Sequence, residues 1–152
     1  MKLSEALIRR ADIQKRVQQL RLRMNQNALV QEGSQPAEQP EELLAESRRA
    51  LGELVTLIRQ INRTNLATRF DETRTLTDAL AERDMLMLER SILSGLVESA
   101  AIRLPRYGSM DVRLERTVDV PQIQQRIDVL SRRYRELDTR IQELNWQTEL
   151  IE

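Results

Sequence analysis

Histidine and cysteine are both absent from the 152 residues. Without histidine there is no commonest general base and no commonest metal ligand, and the Glu-x-x-His pairs of ferritin-like di-metal bundles cannot be built. Without cysteine there is no thiol nucleophile and no disulfide. Glycine is sparse and scattered, at Gly33, Gly52, Gly95 and Gly108, so no phosphate-binding glycine loop, dinucleotide fingerprint or nucleophile elbow is present. No EF-hand loop occurs either. The expectation is a protein that is not an enzyme, with no catalytic residue, no metal and no cofactor.

Neither charge is in excess: Lys+Arg and Asp+Glu both number 24. A balanced chain lacks the basic face with which a general nucleic-acid binder displaces counterions, so nucleic acid is not expected as a partner. The only lysines are Lys2 and Lys15; arginine suits bidentate pairing with carboxylates at helix contacts, although a GC-rich genome gives the same bias. Long hydrophobic runs are missing too. The most apolar stretch, Ser91 to Leu104, carries Glu98 and is too short to span a bilayer. Glu5 and Arg9-Arg10 interrupt the N-terminus before a signal peptide could form, so a cytoplasmic protein is expected.

What the chain does have is heptad periodicity. Ile123, Ile127, Leu130, Tyr134, Leu137, Ile141 and Leu144 alternate spacings of four and three, which places them on one helix stripe. Leu3, Ala6, Arg10, Ile13, Val17, Leu20, Met24 and Asn27 form a like seam, as do Leu44, Ser47, Leu51, Leu54, Ile58, Ile61 and Asn65. Helices are predicted at about 3–30, 40–66, 75–103 and 119–147, each on the order of 40 Å long. Pro40, Thr75 and Asp119 with Pro121 supply their start signals. Between the last two, Met110, Val112, Leu114, Val118 and Val120 fall on alternate positions, with Arg116 as the exception, which predicts a short β-hairpin or extended arm over about 107–118. Matched lengths and short connections favour antiparallel neighbours. The fold expected is all-α: one domain over 1–152, an up-down antiparallel four-helix bundle.

The third helix departs from the pattern. Met85-Leu86-Met87-Leu88 and Ile92, Leu93, Leu96 and Val97 surround its axis, and a helix apolar all round is covered all round. Leu88, Ser91, Ile92, Gly95 and Ser99 are the candidate oligomer interface, with a close crossing inside one chain as the alternative for the small residues. The partner expected is a second copy of the chain; a membrane is not. Up-down topology also gathers Asn62, Thr64, Asn65, Thr75, Thr77, Asp78, Arg83, Asn145 and Trp146 at one bundle end. That polar cluster reads first as capping and register chemistry, and alternatively as a site for a small polar ligand or anion.

Met1 to Leu7, Asn27 to Gly33, Ile61 to Asn65, Thr75 to Asp84, Thr117 to Val120 and Arg135 to Leu150 resemble segments of the septicolysin-like family of uncharacterised bacterial proteins. The resemblance implies a helical oligomer, such as a hexamer built as a trimer of dimers, and assigns no catalytic or binding residue. The family's name suggests a haemolysin-like, membrane-active alternative. Helix faces that alternate both charges fit soluble coiled-coil surfaces better. The leading reading is a non-enzymatic homo-oligomer acting as a scaffold or interaction protein.

Overall fold

The computed structural model describes residues 1–101 and 114–152. Among them the chain is all-α: α1 is Leu3–Gln26, α2 Pro40–Ala67, α3 Leu76–Ala101 and α4 Val120–Gln147. No strand occurs among the described residues; extended pairing is confined to single antiparallel bridges, Lys2 with Glu149 and Arg69 with Thr75. The predicted hairpin is therefore not found over 114–118, and its remaining residues, 107–113, lie outside the described ones. Leu114, Val118 and Val120 alternate, but period two makes a strand only where a neighbour accepts its hydrogen bonds. Arg116 instead turns back and donates from Nε to the Ala100 carbonyl at 3.0 Å.

The chain forms two compact units, Met1–Leu76 with Gln142–Glu152, and Thr77–Ile141. In the first, α1 and α2 run antiparallel, as the descending order of their ion pairs shows: Arg9 with Glu53, Arg16 with Glu46, Arg23 with Glu38. The α1 seam is as the spacing predicts, with Leu3, Ala6, Ile13 and Leu20 buried. The α2 seam is shifted: Leu43, Ser47, Ala50, Leu57, Ile61 and Thr64 are buried, whereas Leu51 is exposed and Leu44, Ile58 and Asn65 are half-buried. Two apolar stripes lie side by side on this helix, and the one turned to α1 includes the small Ala50. The ion-pair register sets Ala50 level with Ile13 and Ala6 level with Leu57, so small residues oppose large ones and the seam interdigitates.

α1 stops at Gln26, four residues short of the predicted end, because Asn27 terminates it. The Asn27 amide donates to the Arg23 carbonyl at 2.9 Å and its oxygen accepts the Glu38 N–H at 3.1 Å, fastening the connecting loop to the helix end. Gly33, at φ 80°, makes the loop's one left-handed step. At the start of α1, Glu5 accepts the Lys2 N–H at 2.8 Å, half of a capping box. α4 begins as its sequence predicts, with Asp119 accepting the Gln122 N–H at 3.1 Å.

In the second unit Leu86 and Leu93 of α3 pack with Ile123 and Leu130 of α4, and Val97, Val118, Ile127 and Leu137 close the edges. The ion pair of Arg83 with Asp138 (2.9 Å) and the stacking of Arg90 over Tyr134 (5.7 Å) run in descending order, so this pair is antiparallel too.

The turn between α2 and α3 is held by one carboxylate. Asp71 accepts from Arg74 Nε at 2.8 Å, from the Thr73 N–H at 3.0 Å and from the Arg74 N–H at 2.8 Å. The Arg74 side chain and then the Thr73 amide hold its pKa at about 2, against an ordinary 3.8. A folded-state pKa below the unfolded one contributes stability above pH 3.8 that is lost as pH falls through about 2. Carboxyl NMR should find Asp71 still ionised at pH 3, and Arg74→Ala should return its titration toward the ordinary value. An Asp71 midpoint near 4 in the unaltered protein would contradict this turn geometry.

Candidate functional site

Three side-chain groupings stand out: the polar residues near helix ends, the ion pairs between α1 and α2, and the outward face of α3. The polar residues divide between the units. Asn62, Thr64, Asn65, Thr75, Asn145 and Trp146 belong to the first, and Thr77, Asp78 and Arg83 to the second. Thr64 and Asn145 are buried, Asn65, Thr75 and Arg83 half-buried, and Asn62, Thr77, Asp78 and Trp146 exposed.

Where their bonds are defined, these side chains hold the fold. The Thr64 hydroxyl donates to the Gln60 carbonyl at 2.8 Å and accepts the Ile151 N–H at 2.9 Å. The Asn145 amide donates to Gln142 Oε1 at 3.4 Å. Arg83 is taken by Asp138, with Asp84 a further 3.6 Å ion pair. The seam position expected for Asn65 belongs to Thr64. Buried polar atoms must be satisfied, and that requirement explains these contacts.

The arginines at positions 9, 16 and 23 repeat at seven residues, and each meets a glutamate: Glu53 and Glu46 on α2, and Glu38 in the loop just before it. Arg23 grips Glu38 with both Nε and Nη2, the fork geometry peculiar to arginine. The Arg23 side chain holds the Glu38 carboxyl below its usual range, and Arg16 does the same to Glu46. This ladder was readable in the heptad spacing of arginine but not in the apolar pattern. An open depression of about 580 Å³ beside it is lined by Arg23, Glu38, Glu42, Glu46 and Arg49 with Ala37, Gln39, Leu43 and Ala45. Its mixed charges largely neutralise one another, which gives no preference for a ligand of either sign.

α3 offers the chemically distinctive surface. Its inward seam, Leu76, Ala79, Leu86 and Leu93 with Arg83, Arg90 and Val97, is buried or half-buried. On the nearly opposite side Ala81, Met85, Leu88, Ile92, Gly95 and Ser99 repeat at spacings of four and three, all exposed. Met85, Leu88 and Ile92 are 58%, 53% and 62% exposed, and Leu96 beside them 40%. This is a second heptad seam, uncharged over its whole length. A Cβ built on Gly95 would meet nothing within 4 Å, so among the described residues no close crossing inside the chain accounts for this glycine. Of the candidate interface residues, Leu88, Ile92, Gly95 and Ser99 lie in this seam and Ser91 borders it.

Among the described residues no group of three or more carboxylates is placed to hold a metal ion, and no helix is long and apolar enough to cross a membrane. A crystal structure of a functionally unknown conserved protein from Corynebacterium diphtheriae is similar to this chain at 42% identity, with a TM-score of 0.90 over 99% of each chain. No curated protein matches. DUF6847, a family of unknown function, matches residues 10–150. The septicolysin-like resemblance is thereby overturned, since neither match points to that family. The segments that suggested it consist largely of helix-seam and capping patterns, which unrelated helical proteins use for the same physical reasons. The hexamer and the haemolysin-like activity, which came from that resemblance, lose that basis. Matched over nearly its whole length, the chain belongs to DUF6847, a family of unknown function.

Proposed function

We propose that this protein is a cytoplasmic, non-enzymatic interaction protein that self-associates through the outward face of α3. The observation that carries the reading is the second seam, Ala81 to Ser99, exposed and without charge. An apolar stripe with heptad spacing is the surface that a partner helix covers, and apolar burial is the main favourable term in such association. The up-down bundle expected of the four helices belongs to the same proposal, supported by antiparallel pairing within each unit.

Light scattering at micromolar concentration tests it. The unaltered chain should give a mass well above one protomer, and its melting temperature should rise with concentration, because an oligomer's stability is tied to mass action. Leu88→Asp should give a single-chain mass with unchanged helical circular dichroism, since Leu88 takes no part in the buried seam. Gly95→Phe should do the same, the chain itself having room for the new side chain. A monomeric unaltered protein over the whole micromolar range sinks the proposal.

A further inference from the structure

The charges bordering the α3 seam indicate what covers it. Its outward borders carry Asp84, Glu89 and Glu98, while the helix's two arginines after Leu76 are turned to α4, where Arg83 meets Asp138 and Arg90 stacks on Tyr134. The outward face of α3 is thus an uncharged seam in an acidic frame. Two such faces would set acid against acid, which disfavours α3 packing on its own copy.

A complementary surface exists elsewhere on the chain. α2 carries a second stripe beside its buried seam: Leu44, Arg48, Leu51, Val55, Ile58 and Asn62, again at spacings of four and three. Leu51 and Val55 are exposed, and Leu44 and Ile58 half-buried. The border away from α1 carries Arg59 and Arg63, both exposed, and Arg48 lies exposed within the stripe. The acids between Leu44 and Asn62, Glu46 and Glu53, are turned the other way, in the ion pairs with Arg16 and Arg9. This stripe is therefore largely apolar, with basic residues in it and along its border. Leu44 to Asn62 and Ala81 to Ser99 each cover 19 residues, about 27 Å of helix from first to last.

We infer that the α3 seam of one copy is covered by the α2 stripe of a second copy of this chain. Heptad seams of equal length pack at the shallow crossing angle of coiled coils, and the packing then sets Arg48, Arg59 and Arg63 of one chain against Asp84, Glu89 and Glu98 of the other. The inference rests on the proposed self-association and adds which surface meets α3. Because the charges lie at a rim, association should also weaken as salt rises.

Two charge-reversed chains test it by sedimentation, alone and mixed. Arg48→Glu/Arg59→Glu makes both faces acidic, and Glu89→Arg/Glu98→Arg makes both basic. Each alone should associate about tenfold or more weakly than the unaltered chain, at unchanged helicity. Mixed in equal amounts they should recover association, because reversed α2 now matches reversed α3 and the two unaltered faces match each other. If Arg48→Glu/Arg59→Glu alone associates as well as the unaltered chain, α2 is not the cover, although self-association through α3 stands. If the weakened chains fail to recover on mixing, the α2–α3 assignment is likewise overturned. An unaltered chain that never associates removes both proposals.

Discussion

Leu20→Ala is expected to lower the free energy of unfolding by about 2–5 kcal/mol, the cost of removing a large buried aliphatic side chain and leaving part of its volume unfilled. Leu20 is 1% exposed, and the register of the α1–α2 ion pairs sets it level with Leu43, which is also buried. Two large residues meet there, whereas Ala6 and Ala50 elsewhere in the seam each oppose one large residue. Val17→Ala, at a half-buried position of the same seam, should cost clearly less. Urea unfolding of both variants measures the difference. A loss below about 1 kcal/mol for Leu20→Ala would mean that α1 and α2 are not packed as this register has them.

α1 and α4 were legible in the sequence because each carries one apolar stripe with polar residues on both sides. α2 was not, and the reason lies in adjacent positions. Leu43, Ala50 and Leu57 form one stripe and Leu44, Leu51 and Ile58 the next, so periodicity alone cannot say which is turned inward. Alanine also scores weakly as a core residue although its size is what the facing isoleucine needs. The end of α1 was misplaced for a different reason. Ala28, Leu29 and Val30 extend the helical pattern, while Asn27 stops it through bonds to Arg23 and Glu38 that depend on where the loop returns.

The candidate sites were unequally legible. That α3 is apolar all round is a property of composition and survives into the fold as the exposed seam. The acidic frame around that seam needed the structure, because Arg83 and Arg90 lie among those acids in sequence and only the fold turns both toward α4, Arg83 keeping a longer ion pair with Asp84. The polar cluster was the harder case. Threonine, asparagine and aspartate near helix ends serve ligands and caps equally well, and the fold decides by supplying partners. Thr64 is the clearest instance, since its partner is Ile151, 87 residues away.

Thr64→Val is expected to lower the free energy of unfolding by about 1–3 kcal/mol, although it keeps the side chain's shape and adds apolar character. Thr64 is fully buried, and its hydroxyl is the acceptor for the Ile151 N–H at 2.9 Å. Valine leaves that amide aimed at a methyl group. Its own lost bond to the Gln60 carbonyl matters less, since that carbonyl also serves the helix. Thr64→Ser should retain both bonds and cost only about 0.5–1.5 kcal/mol, as for a single buried methyl. Asn65→Leu, one position along, should change stability by no more than about 0.5 kcal/mol, because that side chain lies off the buried seam. Hydrogen exchange supplies the independent readout: Ile151 should lose protection in Thr64→Val and keep it in Thr64→Ser. Should Asn65→Leu prove the more damaging change, with Ile151 protection unaffected by Thr64→Val, the buried seam of α2 would be the stripe through Leu44, Leu51 and Ile58, and the shifted register would be wrong.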